Sequence, residues 1–381
     1  MIRRKVVSII GTRPEVIKMA PVIEELRARP GFEQVVLSTA QHRQMLDQIA
    51  AVFGIEPDID LGLMREDQGL ADFASRSLSA LSDVFTSLEP DAVLVQGDTT
   101  TVMTASLGAF YQGIPVGHVE AGLRSFDRRN PFPEEVNRRV AGCVADFHFA
   151  PTEGARANLV REGVPSERVV VTGNTVVDAE RLTVGRYTGF SDPRLEAIGT
   201  DGDVVLVTVH RRENHGPRLR SICRALRTLA TRAPSVRIVL PVHLNPSVRS
   251  TVLQELGDTD RVHLFPPLPY QDVLQLMRVA RLVLTDSGGI QEEAPFFRTP
   301  VLVLREVTER PEVLEAGFGR LVGTDEDRIV QEAARVLFDD AVHQEMTAGE
   351  NPFGDGYAAG RIVDFLEAAL GLERQQTDAQ A

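Results

Sequence analysis

Two cysteines, Cys143 and Cys223, are all that the 381 residues contain, and they lie far apart. A disulfide framework and a cysteine-based zinc site are excluded, and both residues read as buried small hydrophobes in a reducing setting. Basic residues are also short: 41 Lys and Arg face 54 Asp and Glu, a formal net charge of −13. General nucleic-acid and anionic-membrane surfaces need basic patches, so neither partner is expected. An anionic small ligand needs only a local cluster of Arg, Lys and helix ends, and stays open. No apolar run is long enough to span a bilayer, and the first residues enter a strand without a signal-peptide pattern. A cytoplasmic protein is the expectation. No short-period repeat is present.

The hydrophobic fraction, 43%, is that of an ordinary globular protein. The length exceeds what one core usually supports, so two domains are expected. Apolar runs at 5–10, 35–39, 92–95, 147–150 and 168–172 read as buried parallel strands alternating with helices. The alternation restarts at 204–208 and continues through 237–240, 262–265, 282–284 and 301–304. The fold class is therefore α/β: two Rossmann-like doubly wound domains with a cleft between them. The first spans 1–182 and the second 203–356. A Gly-, Pro- and polar-rich linker covers 183–202, a last helix 357–370, and a disordered tail 374–381.

Polar residues cluster where strands end, the edge at which open α/β sheets bind ligands. After the strand 282–284 comes Thr285-Asp286-Ser287-Gly288-Gly289-Ile290-Gln291-Glu292-Glu293-Ala294. A Gly pair at a strand-to-helix turn lets a ligand approach the backbone, and the helix start offers N–H groups to a phosphate. Glu292 and Glu293 lie within reach of a ribose hydroxyl. The same pattern also fits an ordinary Gly-rich turn with solvated glutamates. Arg13 and Lys18 follow the first strand, Asp98 another and Glu120 a third; Glu134 opens a helix behind a Pro-rich loop. Taken singly, Asp98 is a helix cap and Glu134 a dipole partner. Three charged groups on successive strand ends fit a site better than solvated faces.

Together these segments resemble a known family. Gly11-Thr12-Arg13-Pro14-Glu15, Gly97-Asp98-Thr99-Thr100-Thr101, Gly117-His118-Val119-Glu120-Ala121-Gly122, Pro133-Glu134-Glu135-Val136-Asn137-Arg138, His210-Arg211-Arg212-Glu213-Asn214, Pro241-Val242-His243, the Gly-Gly turn and Thr308-Glu309-Arg310-Pro311-Glu312 are similar to motifs of the non-hydrolysing bacterial UDP-N-acetylglucosamine 2-epimerases, in the same order. The resemblance implies the two-domain fold that many nucleotide-sugar glycosyltransferases use, with the last helix crossing back onto the first domain, and a homodimer. It implies inversion at C2 of UDP-N-acetylglucosamine without cofactor or metal. The C2 proton is not acidic, so UDP is eliminated to give 2-acetamidoglucal and is then added back. Asp98, Glu120, Glu134 and His210 are implied as catalytic, with at least one carboxyl pKa raised by crowding. Arg13, Lys18, Ser287, Gly288, Gly289, Glu293 and Arg310 are implied as UDP contacts. An activator site for a second UDP-N-acetylglucosamine would use Gln41, Gln44, Arg211 and His243 beside Glu134. Asp67 departs from the basic residue some members carry there. Leu268 and Val273 depart from the family's uracil-facing residues, which turns attention to Tyr270. A modified UDP-2-acetamido sugar as substrate, a glycosyltransferase, and a hydrolysing relative are the alternatives.

Overall fold

The computed structural model describes residues 3–40, 43–65, 68–199 and 202–372. The chain divides into two compact units, Met1–Leu182 with Phe353–Ala381, and Thr183–Pro352. The tail 374–381 lies outside the described residues.

The first unit is built on seven parallel strands: β1 (Arg4–Ile10), β2 (Phe32–Ser38), β3 (Ile59–Asp60), β4 (Ala92–Gln96), β5 (Val116–Val119), β6 (Phe147–Ala150) and β7 (Val169–Val171). Their order is β3-β2-β1-β4-β5-β6-β7. Val7, Val93, Leu94 and Val95 are fully buried, because helices cover both faces of a parallel sheet and leave its strands no polar side. The edge strand β3 has no apolar run to announce it.

The Ala358–Ala369 helix packs on the Arg13–Ala28 helix of this unit. Asp178 holds its start: Oδ2 accepts the Ala358 N–H at 3.1 Å and Oδ1 the Ala359 N–H at 2.9 Å. The carboxylate thereby satisfies donors that a helix start leaves unpaired. Phe365 meets Phe147 and Phe149 edge-on, with ring centroids 5.4 and 5.6 Å apart. Arg29 reaches across to Asp364 at 3.0 Å and Glu367 at 2.9 Å.

The second unit has six parallel strands: β8 (Asp203–Thr208), β9 (Val236–Pro241), β10 (Val262–Phe265), β11 (Ala280–Thr285), β12 (Val301–Val303) and β13 (Gly319–Leu321). They run β10-β9-β8-β11-β12-β13. Segment 183–202 departs from the expected linker. It holds the end of the Thr175–Arg186 helix and a short Pro193–Gly199 helix. Leu195 and Ile198 bury themselves, and buried Asp272 accepts the Ser191 N–H at 2.8 Å. Two spaced apolar residues among Gly and polar neighbours are enough to dock it.

In each sheet the chain order reverses once, between β1 and β4 and between β8 and β11. Ligands of open parallel sheets bind beyond the carboxyl ends at such a reversal. No described helix is long and apolar enough to cross a membrane.

Candidate functional site

At the first reversal, β1 runs into Gly11 and the Arg13–Ala28 helix. Gly11 is required by close approach: a Cβ there would lie 2.4 Å from Thr39 Oγ1 and 2.7 Å from Thr101 Oγ1. Glu15, three residues past the Thr12 cap, folds back so that Oε2 accepts the Gly11 N–H at 2.5 Å and the Thr12 N–H at 3.0 Å. Its Oε1 accepts the Thr99 hydroxyl at 2.6 Å. One carboxylate therefore ties the turn after β1 to the turn after β4. Arg13, half-buried on the first helical turn, makes no ion pair among the described residues.

Lys18 meets a carboxylate. Its Nζ lies 2.6 Å from Glu120 Oε1, with Lys18 and Glu120 each 8% exposed. Lys18 and Lys5 are the only lysines in the sequence. Glu120 Oε2 accepts from Gln96 Nε2 at the end of β4. The Glu120 backbone has φ +62°, a left-handed conformation that L-residues other than Gly, Asn and Asp rarely adopt. Asp98 is drawn to the Glu134–Val144 helix. Arg138 donates to its Oδ2 from Nε at 2.9 Å and from NH2 at 2.6 Å, and Asn137 Nδ2 donates to its carbonyl at 2.9 Å. Glu134 opens that helix with Oε2 buried and without a hydrogen-bond partner. Glu135 anchors the preceding loop through the N–H groups of Ser125 at 2.9 Å and Phe126 at 3.1 Å. Burial pushes the His118 imidazole down to about 4. It is neutral, and Nε2–H donates to the Gly97 carbonyl at 2.7 Å.

The carboxyl whose pKa burial raises to about 7 is Glu15, against the hydrogen bonds from Thr99, Gly11 and Thr12. It was not among the expected carboxylates. Thr12-Arg13-Pro14-Glu15 carries the capping spacing that could have marked it. The sign is fixed by linkage: with 4.5 unfolded and about 7 folded, only the folded chain holds the proton between these values. Glu15 thus favours folding below pH 4.5 relative to higher pH, and that advantage is lost as pH rises to 7. Glu15→Gln, which keeps the shape and cannot ionise, should gain stability over the parent by about 3 kcal/mol at most between pH 4.5 and 8. Urea denaturation at both pH values checks this, and a pH-independent difference contradicts it.

At the second reversal, Asp286 is fully buried. It accepts the His210 N–H at 3.1 Å, the Arg211 N–H at 2.9 Å and Asn214 Nδ2 at 2.9 Å. His210 Nδ1 lies 3.3 Å from Asp286 Oδ1. Burial holds the imidazole below the usual histidine range despite that carboxylate. Ser287 immediately precedes the short Gly288–Glu293 helix, without a side-chain capping bond. A Cβ at Gly288 would lie 3.7 Å from Arg211 NH2 and 4.0 Å from Arg310 NH2. Two guanidinium groups thus converge over the glycine turn. The convergence brings Arg211, expected at an activator site, to the same turn as Arg310. Glu292 differs from its expected ribose-facing role, since it is buried and pairs with Arg310 Nε. Glu293 is 8% exposed. The His243 ring lies 6.1 Å from that of His210, tilted by 22°, and its Nδ1 accepts the Asn245 N–H at 3.1 Å. Tyr270 is buried, so its ring is no exposed platform for a base. Gln41, Asp67 and the Gln44 side chain lie outside what is described.

A family model for UDP-N-acetylglucosamine 2-epimerase matches residues 24–367. The UDP-N-acetylglucosamine 2-epimerase of Bacillus subtilis is 48% identical over 379 residues, 100% of this chain and 99% of that protein. Its Escherichia coli K12 counterpart is 49% identical, covering 95% of this chain and 98% of that protein. The structure of the Neisseria meningitidis UDP-GlcNAc 2-epimerase bound to UDP-GlcNAc superposes with a TM-score of 0.87 at 43% identity, over 96% of this chain and 100% of the other. With two doubly wound sheets, eight motifs in order and full-length relatives near half identity, this chain belongs to the UDP-N-acetylglucosamine 2-epimerase family.

Proposed function

We propose that this protein interconverts UDP-N-acetylglucosamine and UDP-N-acetylmannosamine by inversion at C2. The observation that carries the reading is the kind of group each unit gathers at its own chain reversal. The first unit gathers carboxylates at its reversal: Glu120 braced by Lys18 and Gln96, Asp98 braced by Arg138, and Glu134. The second gathers cations, Arg211 and Arg310 over Gly288, with the neutral His210 imidazole near Arg211. Carboxylates suit proton transfer at C2. Guanidinium groups suit a leaving diphosphate, which they bind by charge-assisted bonds. In this reading one carboxyl removes the C2 proton as UDP departs, and another returns a proton from the opposite face as UDP adds back to the glucal. Arg13, Ser287, Gly289 and Glu293 line the nucleotide, and Gln41, Gln44, Arg211 and His243 contribute to an activator site. Our reading is of a cytoplasmic homodimer. A second copy would cover Phe110 and Tyr111, 54% and 67% exposed at the end of the Thr100–Tyr111 helix.

Incubation with UDP-N-acetylglucosamine in D₂O tests the reaction. The expected product is UDP-N-acetylmannosamine with deuterium at C2, and the recovered substrate is labelled as well. A folded, UDP-binding protein that gives neither exchange nor a new sugar nucleotide would rule the reading out.

A further inference from the structure

Arg305, just beyond β12, is 6% exposed. Its Nε donates to Glu213 Oε1 at 2.6 Å. Its two terminal nitrogens form a fork on Glu309, NH1 to Oε2 at 2.6 Å and NH2 to Oε1 at 3.0 Å. Glu213 belongs to the loop that carries His210 and Arg211, and Glu309 immediately precedes Arg310. The same loops are tied elsewhere. Asn214 Nδ2 reaches both Asp286 and the Leu304 carbonyl, and the Thr308 hydroxyl donates to Gln291 Oε1 at 2.6 Å. These neighbouring bonds hold the backbone. Arg305 does something they cannot: it occupies two carboxylates that adjoin the converging guanidinium groups.

We propose that Arg305 is a positioning residue that holds Glu213 and Glu309 so that neither pairs with Arg211, whose buried Nε has no hydrogen-bond partner among the described residues and whose guanidinium then stays available to a diphosphate beside Arg310, itself already paired with Glu292. The inference rests on the function proposed above. A carboxylate released against Arg211 would neutralise it and repel the phosphates. A bidentate guanidinium–carboxylate pair is a geometry that lysine cannot reproduce.

Calorimetry with UDP on the full chain tests it. Arg305→Met should weaken UDP binding roughly 10- to 100-fold. Adding Glu213→Gln and Glu309→Gln to that variant should restore most of the affinity, because the released charges are then gone. A merely structural role gives no such rescue, since the triple variant has lost every bond of the cluster. Affinity unchanged in Arg305→Met, or unrelieved in the triple variant, overturns the proposal alone. A parent protein that fails to bind UDP overturns the proposed function and this inference together. If Arg305→Met does not fold, Arg305→Lys carries the test. It keeps the charge but holds one carboxylate at a time, so a several-fold loss relieved by Glu309→Gln is expected, and no loss overturns the proposal.

Discussion

Glu120→Gln should lower turnover about 100-fold or more while UDP affinity stays within a few-fold of the parent, since a general acid or base contributes about 10²- to 10⁴-fold. The substitution is nearly isosteric, so the left-handed backbone at φ +62° is unaffected. Its local penalty is specific. Lys18 donates to one carboxylate oxygen and Gln96 to the other, so a glutamine must turn its own NH2 toward a donor. An unmade buried hydrogen bond costs about 1–3 kcal/mol. Gln96 relieves it by turning its amide over and accepting. The Lys18 ammonium also loses its buried counter-charge, a further cost of about 3–5 kcal/mol, so urea denaturation must show a folded variant before the loss of turnover is read as proton transfer. Steady-state kinetics with calorimetry on UDP checks both halves, and near-parent turnover removes Glu120 from the reaction.

Lys18→Met should have the largest effect on stability. Removing one partner of a buried ion pair costs about 3–5 kcal/mol, because the other charge is left without compensation. Lys18 and Glu120 qualify, with side chains 10% and 5% exposed and 2.6 Å apart. Without the ammonium, a desolvated Glu120 takes up a proton, and turnover falls to the level of Glu120→Gln. The double variant Lys18→Met with Glu120→Gln should recover much of the stability and none of the turnover, since it buries no unpaired charge. Urea denaturation of the four proteins of this cycle measures the coupling. A Lys18→Met protein as stable as the parent contradicts the pairing, and one that loses UDP affinity while keeping its stability returns Lys18 to the diphosphate.

How far the sequence led is visible in Lys18. Its helix and its place at the carboxyl edge were legible, because apolar runs and helix periodicity mark elements and strand ends mark the edge. Its partner was not. Glu120 follows β5, and β5 is separated from β1 by β4, an order that local patterns do not encode. The same holds for Arg211 beside Arg310 and for Glu292 beneath Arg310, pairings that depend on three loops from different strands. Glu15 is a different case. Its capping spacing was readable, but its burial and the Thr99 contact came only from how the turns after β1 and β4 abut. The strands β3 and β13, two and three residues long, are too short to show a period.

Lys18 also gives the protein an unusual chemical signature. Lys5 is its only companion lysine, with a side chain 28% exposed, while Lys18 is closed in against Glu120. Amine-directed coupling to a dye or a solid support therefore meets Lys5 before Lys18, and Glu120 keeps its counter-ion. The slow acylation of Lys18 that follows becomes a clock. It counts how often this corner of the first unit opens to a reagent, and a bound nucleotide sugar should slow it.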